Sequence, residues 1–434
     1  MTKSSHSRRE FLTGALSVAA LGAAASPASA QRVMNSIDDW LSFGQSGGDA
    51  WDQPFDRSFA KQWETQPERG FPTVSKDNIA PTKEAIKRYA DIVAKGGWDR
   101  LPMTDLRVGM ASPAVSQLRR HLIMTGDLEA SGGIAETFDY YVEKGVKKAQ
   151  VRHGLPPTGF VDKYTITALN VPASSRLRQL RANLSRLTPY ASSTSAGKYV
   201  LVNIPAAQIE AVNNNQVVSR HAGVVGKLDR PSPILQSRIH EVNFNKEWFL
   251  PPTVIREDVV PKAREMYAKG QDFLAKYKID AYASYAAYQR GQRLEPRQVN
   301  WASAEPLGLF YVQNAGEENP LGYAKINFHN PYAVYMHDTP GQSIFGRNFR
   351  AESSGCVRVQ NIHQLVAWLL EENGWTVQQV LRMKQTGETL NVTLRRPVPV
   401  YWSYITAWAT PDGTVNFRRD LYRKDGVDAI ASAY

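Results

Sequence analysis

Pro331-Tyr332-Ala333-Val334-Tyr335-Met336-His337-Asp338-Thr339-Pro340 and, with its cysteine nineteen positions beyond the histidine, Ser353-Ser354-Gly355-Cys356-Val357-Arg358-Val359 decide how this chain is read. Alternation along the first stretch places Ala333, Tyr335 and His337 on one face of a strand, and Asp338-Thr339-Pro340-Gly341 ends that strand just after the histidine. In the second, small residues precede the chain's single cysteine and let the backbone approach a ligand closely. Both groups fall at junctions between regular elements, where reactive side chains collect. A thiol with an ordinary pKa of about 8.5 is a poor nucleophile at neutral pH until an imidazole takes its proton. Histidine, titrating near 6.5, suits that task. N–H groups around Gly355 and Cys356 are candidate donors to an oxyanion. Spacing alone also fits a structural histidine beside a buried thiol, since free cysteine is among the most buried residue types.

Extended grammar surrounds the pair. Lys198-Tyr199-Val200-Leu201-Val202-Asn203-Ile204 reads as a buried strand, residues 216–220 and 222–225 as further strands, and Asn213-Asn214-Asn215 as the turn before them. Residues 325–328 and 332–336 resume the strands, 362–372 form a helix, and 398–409 with 415–418 form a terminal hairpin around Pro411-Asp412-Gly413. Between them, Pro251-Pro252 and a helical, tyrosine-rich segment interrupt the sheet, so that about 251–300 reads as an insertion.

Upstream the period is helical. A helix is expected from Thr82 to a stop at Gly96-Gly97, then a compact three-helix module over 105–172 opened by Ser112-Pro113. Its apolar face is Val115, Leu118 and Leu122, followed by Phe138, Val142, Val146 and Ala149. Arg176 to Leu187 reads as a basic amphipathic helix, and 191–197 as a Ser/Thr/Gly-rich linker. The domain plan is 1–30, 31–104 (an irregular lead-in to about 75, then helix), 105–172, 173–197, 198–395 and an extension over 396–434.

The chain has 434 residues, 42% of them hydrophobic, enough for two or three domains with cores of their own and too much for a disordered tail. Its formal charge of +11 favours polyanionic or carboxylate-rich partners. Arg8 and Arg9, the small apolar run 12–25 and Ala28-Ser29-Ala30 read as a signal peptide. Ser7-Arg8-Arg9-Glu10-Phe11-Leu12 resembles the twin-arginine export consensus, giving an expected location in the periplasm. With one cysteine, no internal disulfide is possible. His329 and His337 make a poor zinc pair and are joined by no ligand cluster, so neither metal nor cofactor is expected. Nucleic-acid binding is disfavoured, because no recognition motif accompanies the basic charge.

Residues 198–359 resemble the L,D-transpeptidase catalytic domain (YkuD type), in its large Gram-negative form with a capping insertion. The matching pieces are Tyr199-Val200-Leu201-Val202-Asn203-Ile204-Pro205, Val224-Val225-Gly226-Lys227 with Arg230-Pro231-Ser232-Pro233, and Trp248-Phe249-Leu250-Pro251-Pro252. They continue with Asn319-Pro320-Leu321-Gly322 and the two stretches quoted first. Residues 105–172 resemble the small peptidoglycan-binding module of wall enzymes. The resemblance implies a multidomain α+β protein: a β-rich catalytic domain with a helical cap, plus a three-helix wall-binding module. It implies Cys356 as nucleophile, His337 as general base, the Asp338 backbone as orienter of the imidazole and the Gly355 backbone as oxyanion donor. Ser354, Arg358, Tyr335 and Trp248 become candidate substrate contacts. The family commonly has His-Gly-Cys where this chain has Ser354-Gly355-Cys356. The implied activity is acyl transfer on tetrapeptide stems of peptidoglycan, with a second stem, or an outer-membrane protein or lipoprotein, as acceptor and carbapenems as covalent inhibitors. The alternatives are a wall-binding scaffold with a vestigial site, and a cysteine peptidase acting on the same stems.

Overall fold

The buried run after the linker becomes β1 (Lys198–Asn203), and β2 (Gln208–Asn213) and β3 (Gln216–Gly226) follow as a hairpin turned at Asn214 and Asn215. Both asparagines have positive φ, 48° and 61°, a region their short polar side chains tolerate. β4 is Leu235–Phe244. The chain then leaves the sheet for β5 (Trp248–Phe249), β6 (Ile279–Tyr282), β7 (Arg293–Leu294) and β8 (Phe310–Gln313). It returns with β9 (Ala324–Phe328), β10 (Met336–His337), β11 (Ala351–Ser353), β12 (Val357–Val359) and β13 (Leu390–Ser403). The computed structural model describes residues 70–426 except 131, 132, 134, 191–193, 195, 196 and 348. The expected signal peptide, nearly all of the lead-in and most of the linker lie outside the described residues.

The main sheet has nine strands in the order β11-β3-β12-β10-β9-β4-β13-β1-β2, and β2 also pairs with β3, so the sheet closes on itself. Closure leaves few open edges for another chain to pair with. Val200, Val202, Ile209, Val242, Ile326, Met336, Val357 and Trp402 fill the interior together with the helix Ile362–Leu369. Each such fully buried apolar side chain stabilises the fold by roughly 1.5–3 kcal/mol.

β5, β8, β6 and β7 form a separate four-stranded sheet with its own core of Trp248, Val259, Phe273, Tyr277, Trp301 and Tyr311. The insertion is therefore wider than 251–300 and is an α+β cap, not a helical one. Its two-residue strands are too short to show a period in the sequence. Beside the barrel sit the three helices Pro113–Thr125, Tyr140–Arg152 and Lys163–Leu169. Asp139 and Asp162 cap the latter two by accepting from Val142 N at 3.0 Å and Thr165 N at 2.8 Å. The helices Ile79–Ala94 and Ala173–Leu187 pack on each other and on the hairpin of β14 (Ala407–Ala409) and β15 (Val415–Phe417). The basic face expected on the second helix is partly internal: Arg176 is 1% exposed and lies over the Phe417 ring. Among the described residues no helix is long and apolar enough to cross a membrane.

Three further expectations are corrected. Residues 216–220 and 222–225 are one continuous strand, β3. Residues 398–403 belong to β13, which runs parallel to β1 inside the barrel, so the boundary at 395 cuts a strand and the terminal hairpin is only β14 and β15. The strand expected at 332–336 shrinks to Met336–His337. Ala333 stands at φ +54° in a turn held by Asn330, whose Oδ1 accepts from Tyr332 N and Val334 N.

Candidate active site

β10 and β12 run parallel, with Met336 opposite Val357 and His337 opposite Arg358. Met336, Val357 and Val359 point into the barrel core, so alternation turns Tyr335, His337 and Arg358 toward the other face, while Cys356, just before β12, packs in part against that core. Val357 N–H donates to Tyr335 O at 3.1 Å, which fixes Cys356 at the head of β12 alongside Tyr335. Cys356 remains partly exposed, while His337 is buried at 4% exposure. The register thus sets Cys356 at the head of the strand that pairs with the one ending in His337.

Burial, and next the Arg358 cation, press the His337 pKa down from 6.5 to about 3, against backbone hydrogen bonds with Asp338 and Pro320 that favour the charged ring. Nδ1 lies 3.1 Å from Pro320 O. A carbonyl only accepts, so Nδ1 carries the proton and Nε2 is left with its lone pair. The predicted orienting role of the Asp338 backbone is therefore shared with Pro320. Asp338 also works through its side chain, which accepts from Tyr323 N and Gln342 Nε2, both at 3.3 Å. Burial pushes its carboxyl up to about 6. Gly322, at φ +59°, makes this packing possible: a Cβ there would stand 2.3 Å from Asp338 Oδ2.

The cysteine loop is held from behind. Ser353 Oγ donates to Cys356 O at 2.5 Å and accepts from Gly355 N at 3.2 Å. That second bond corrects the expectation for Gly355, whose single N–H proton is engaged inside the loop and does not face an oxyanion. Ser232 Oγ donates to Gly355 O at 2.8 Å and accepts from Gly226 N at 2.9 Å. Tyr422, from the C-terminal extension, accepts from Ser232 N at 3.1 Å and donates to Gly226 O at 2.5 Å. Ser232 and Tyr422 carried no role in the sequence reading. Ser232 lay in a quoted stretch, but Tyr422 is 190 residues from its partner and gave no signal.

Ser354 is exposed and accepts from Arg230 Nη1 at 3.0 Å. Arg230 also grips the cap: its guanidinium is bidentate on Asp258, with Nη2 to Oδ1 at 3.0 Å, and meets Glu257 at 2.9 Å. Those carboxylates sit on the π-helical turn Ile255–Val259, a local irregularity typical of functional regions. Trp248 Nε1 donates to Tyr335 OH at 3.0 Å, and the Tyr335 ring lies edge-on to His337 with centroids 5.6 Å apart. Tyr335 therefore joins the cap to the imidazole. Arg358, 1% exposed, stands opposite His337 in the strand pairing, where its charge acts on the imidazole. His329, set aside as structural, stacks on His240 with centroids 4.2 Å apart.

Comparison with known proteins fits this architecture. Residues 197–400 match the YkuD family, described as "L,D-transpeptidase catalytic domain". The chain carries an L,D-transpeptidase catalytic domain. Residues 111–169, the three-helix module, match the "Putative peptidoglycan binding domain" family. A curated protein of Haemophilus influenzae (strain ATCC 51907 / DSM 11121 / KW20 / Rd), named "Putative L,D-transpeptidase", is 29% identical over 226 residues, 52% of this chain and 44% of that protein. The match thus spans less than half of that relative's length. Among solved structures, an L,D-transpeptidase from Stackebrandtia nassauensis aligns at 12% identity over 69% of this chain and 96% of its own, with a TM-score of 0.26. The L,D-transpeptidase LdtMt1 in complex with imipenem aligns at 13% identity over 48% of this chain and 58% of its own, with a TM-score of 0.23.

Proposed function

We propose that this protein is a cysteine acyltransferase acting on the tetrapeptide stems of peptidoglycan in the periplasm, to which residues 1–30 direct it by the twin-arginine route. The observation that supports the reading is the pairing of β10 with β12, which sets the partly exposed Cys356 next to the strand that ends in His337, whose Nδ1 proton is held by Pro320 O so that Nε2 keeps its lone pair. His337 takes the Cys356 proton, and the thiolate adds to the carbonyl at the L-centre of the stem's diamino acid. The tetrahedral adduct collapses, the C–N bond to the terminal D-alanine breaks, and the imidazolium gives its proton to the departing amine. The side-chain amine of a second stem then attacks the thioester, loses a proton to His337 and releases the thiolate, leaving a 3→3 cross-link. An outer-membrane protein or lipoprotein amine is the alternative acceptor.

Water competes with the amine at the thioester, and the cap pinned across the loop by Arg230, Trp248 and Tyr335 favours the amine by limiting solvent entry. The same thiolate opens the strained ring of a carbapenem and keeps it as a thioester. The peptidoglycan-binding module and the positive charge suit a wall polymer bearing carboxylates. Mass spectrometry of purified protein incubated with stem tetrapeptides tests the reading. Cross-linked dimers lacking one D-alanine are expected. Shortened monomers alone indicate a cysteine peptidase, and unchanged substrate with either native protein or Cys356→Ala indicates a wall-binding scaffold.

A further inference from the structure

The row that contains His337 continues across β9, where Lys325 stands directly opposite it. From Lys325 through His337 to Arg358, three residues thus lie side by side across β9, β10 and β12. Lys325 is only partly exposed, and its ammonium rests on the ring of Tyr335, 4.3 Å from the centroid. Among the described residues no carboxylate lies within ion-pair distance of this ammonium. The nearest acidic candidate on the same face, Glu241, is occupied by the amides of Asn243 and Asn327 at 2.7 and 3.1 Å. Burial lowers the Lys325 pKa, and the charge of Cys356 is the largest influence acting in the opposite direction. A cation withdrawn from water without an anion is costly, and an arriving carboxylate removes that cost.

We infer that Lys325 is a donor-recognition residue whose ammonium binds a carboxylate of the stem over the face of Tyr335, beside the thiol. This rests on the acyl-transfer reading above. Two carboxylates on a tetrapeptide stem have the right chemistry: the C-terminus of the departing D-alanine, and the carboxylate at the D-centre of the diamino acid. Either would orient the scissile carbonyl toward Cys356, and selection for it would discriminate against amidated stems. Lysine, a compact point charge, suits a single carboxylate that must leave again.

The test uses the full protein and four stems: the free tetrapeptide, one amidated at the C-terminus, one amidated at the D-centre, and one amidated at both. Release of D-alanine, or of D-alaninamide from the two stems amidated at the C-terminus, gives kcat and KM, and alkylation of Cys356 by iodoacetamide reports the thiol. Lys325→Met should raise KM for the free stem about 30-fold, the size expected for truncating one partner of a desolvated charge pair. In native protein one of the two single amidations should produce the same rise, identifying the carboxylate. On that stem Lys325→Met should add nothing further. The alkylation rate should fall by far less than KM rises, since only the coupling between the Lys325 and Cys356 charges is lost there, and Lys325→Arg should restore most of the affinity. A KM within about twofold of native, an equal loss on all four stems, or an alkylation rate that falls in step would overturn the inference. If native protein releases D-alanine from none of them, it is the acyl-transfer reading that fails, and the inference with it.

Discussion

Ser232→Ala removes a single buried hydroxyl that serves two backbone groups, Gly226 N–H and Gly355 C=O. The substituted methyl can replace neither bond, and neither group has room to find water, since Ser232 is 2% exposed. Each buried polar group left without a partner costs about 1–3 kcal/mol, so the pair amounts to about 2–6 kcal/mol. At about 2 °C per kcal/mol for a domain of this size, the melting temperature should fall by about 4–12 °C. The Gly355 carbonyl belongs to the loop that carries Cys356. A displacement there of a few tenths of an ångström to an ångström should lower kcat for D-alanine release by about 10- to 100-fold. Ser354→Ala is the internal control. Its hydroxyl is exposed and meets only Arg230, so it should cost less than about 1 kcal/mol. Thermal melting and single-turnover acylation of both variants check the comparison. A Ser232→Ala protein that melts within about 1 °C of native and keeps its kcat would refute the idea that this strut positions the nucleophile.

Asp258→Asn removes the charge that Arg230 grips and leaves Glu257 as its remaining carboxylate; hydrogen exchange across 252–268 should rise, and the ratio of hydrolysed to cross-linked product should increase about tenfold. Unchanged exchange there would show that the ion pair does not hold the cap. Gly322→Ala forces a Cβ to within 2.3 Å of Asp338 Oδ2 at a positive φ and should cost about 2 kcal/mol or more, with loss of activity through a displaced His337; a fully active variant contradicts the close-packed turn. Acid should destabilise the protein. His121, His221 and His337 are held near 3, 4 and 3 when folded against 6.5 when unfolded, so their contribution is complete above 6.5 and is lost as pH falls, by about 2 kcal/mol each at pH 5. Asp338, raised from 3.8 to about 6, acts in the opposite direction, its contribution being lost as pH rises through 6. His153 and His363 are lowered by burial as well, so the histidines outweigh the carboxyl, the melting temperature drops between pH 7 and 5, and a flat profile would contradict the buried neutral histidines.

Part of the site's framework was legible because alternation at Tyr335-Met336-His337 and Val357-Arg358 survives folding: Met336 and Val357 face the core, and His337 stands opposite Arg358 in the pairing of the two strands. The helical module was legible for a similar reason, since Val115, Leu118 and Leu122 recur at helical spacing over a full apolar face. Where partners are remote, the sequence is mute. The run 398–409 looks like half of a hairpin, yet Val400 pairs with Val200 in a parallel strand that no local turn can announce. The supports of the site have the same origin. Pro320 reaches His337, Tyr422 reaches Gly226 and Arg230 reaches Ser354 across 17, 196 and 124 positions. Gly355 shows the limit of reading chemistry from residue type: small residues do bring the backbone close, but its N–H is turned inward to Ser353.

Peptide-level mass spectrometry after mixing the purified protein with a carbapenem bears most directly on whether Cys356 carries the acyl group. Native protein should gain one covalently held β-lactam, located on the fragment 351–358, and Cys356→Ala should gain none. An adduct on another fragment, an adduct that persists in Cys356→Ala, or a native protein that stays unmodified would contradict a nucleophilic role for this thiol.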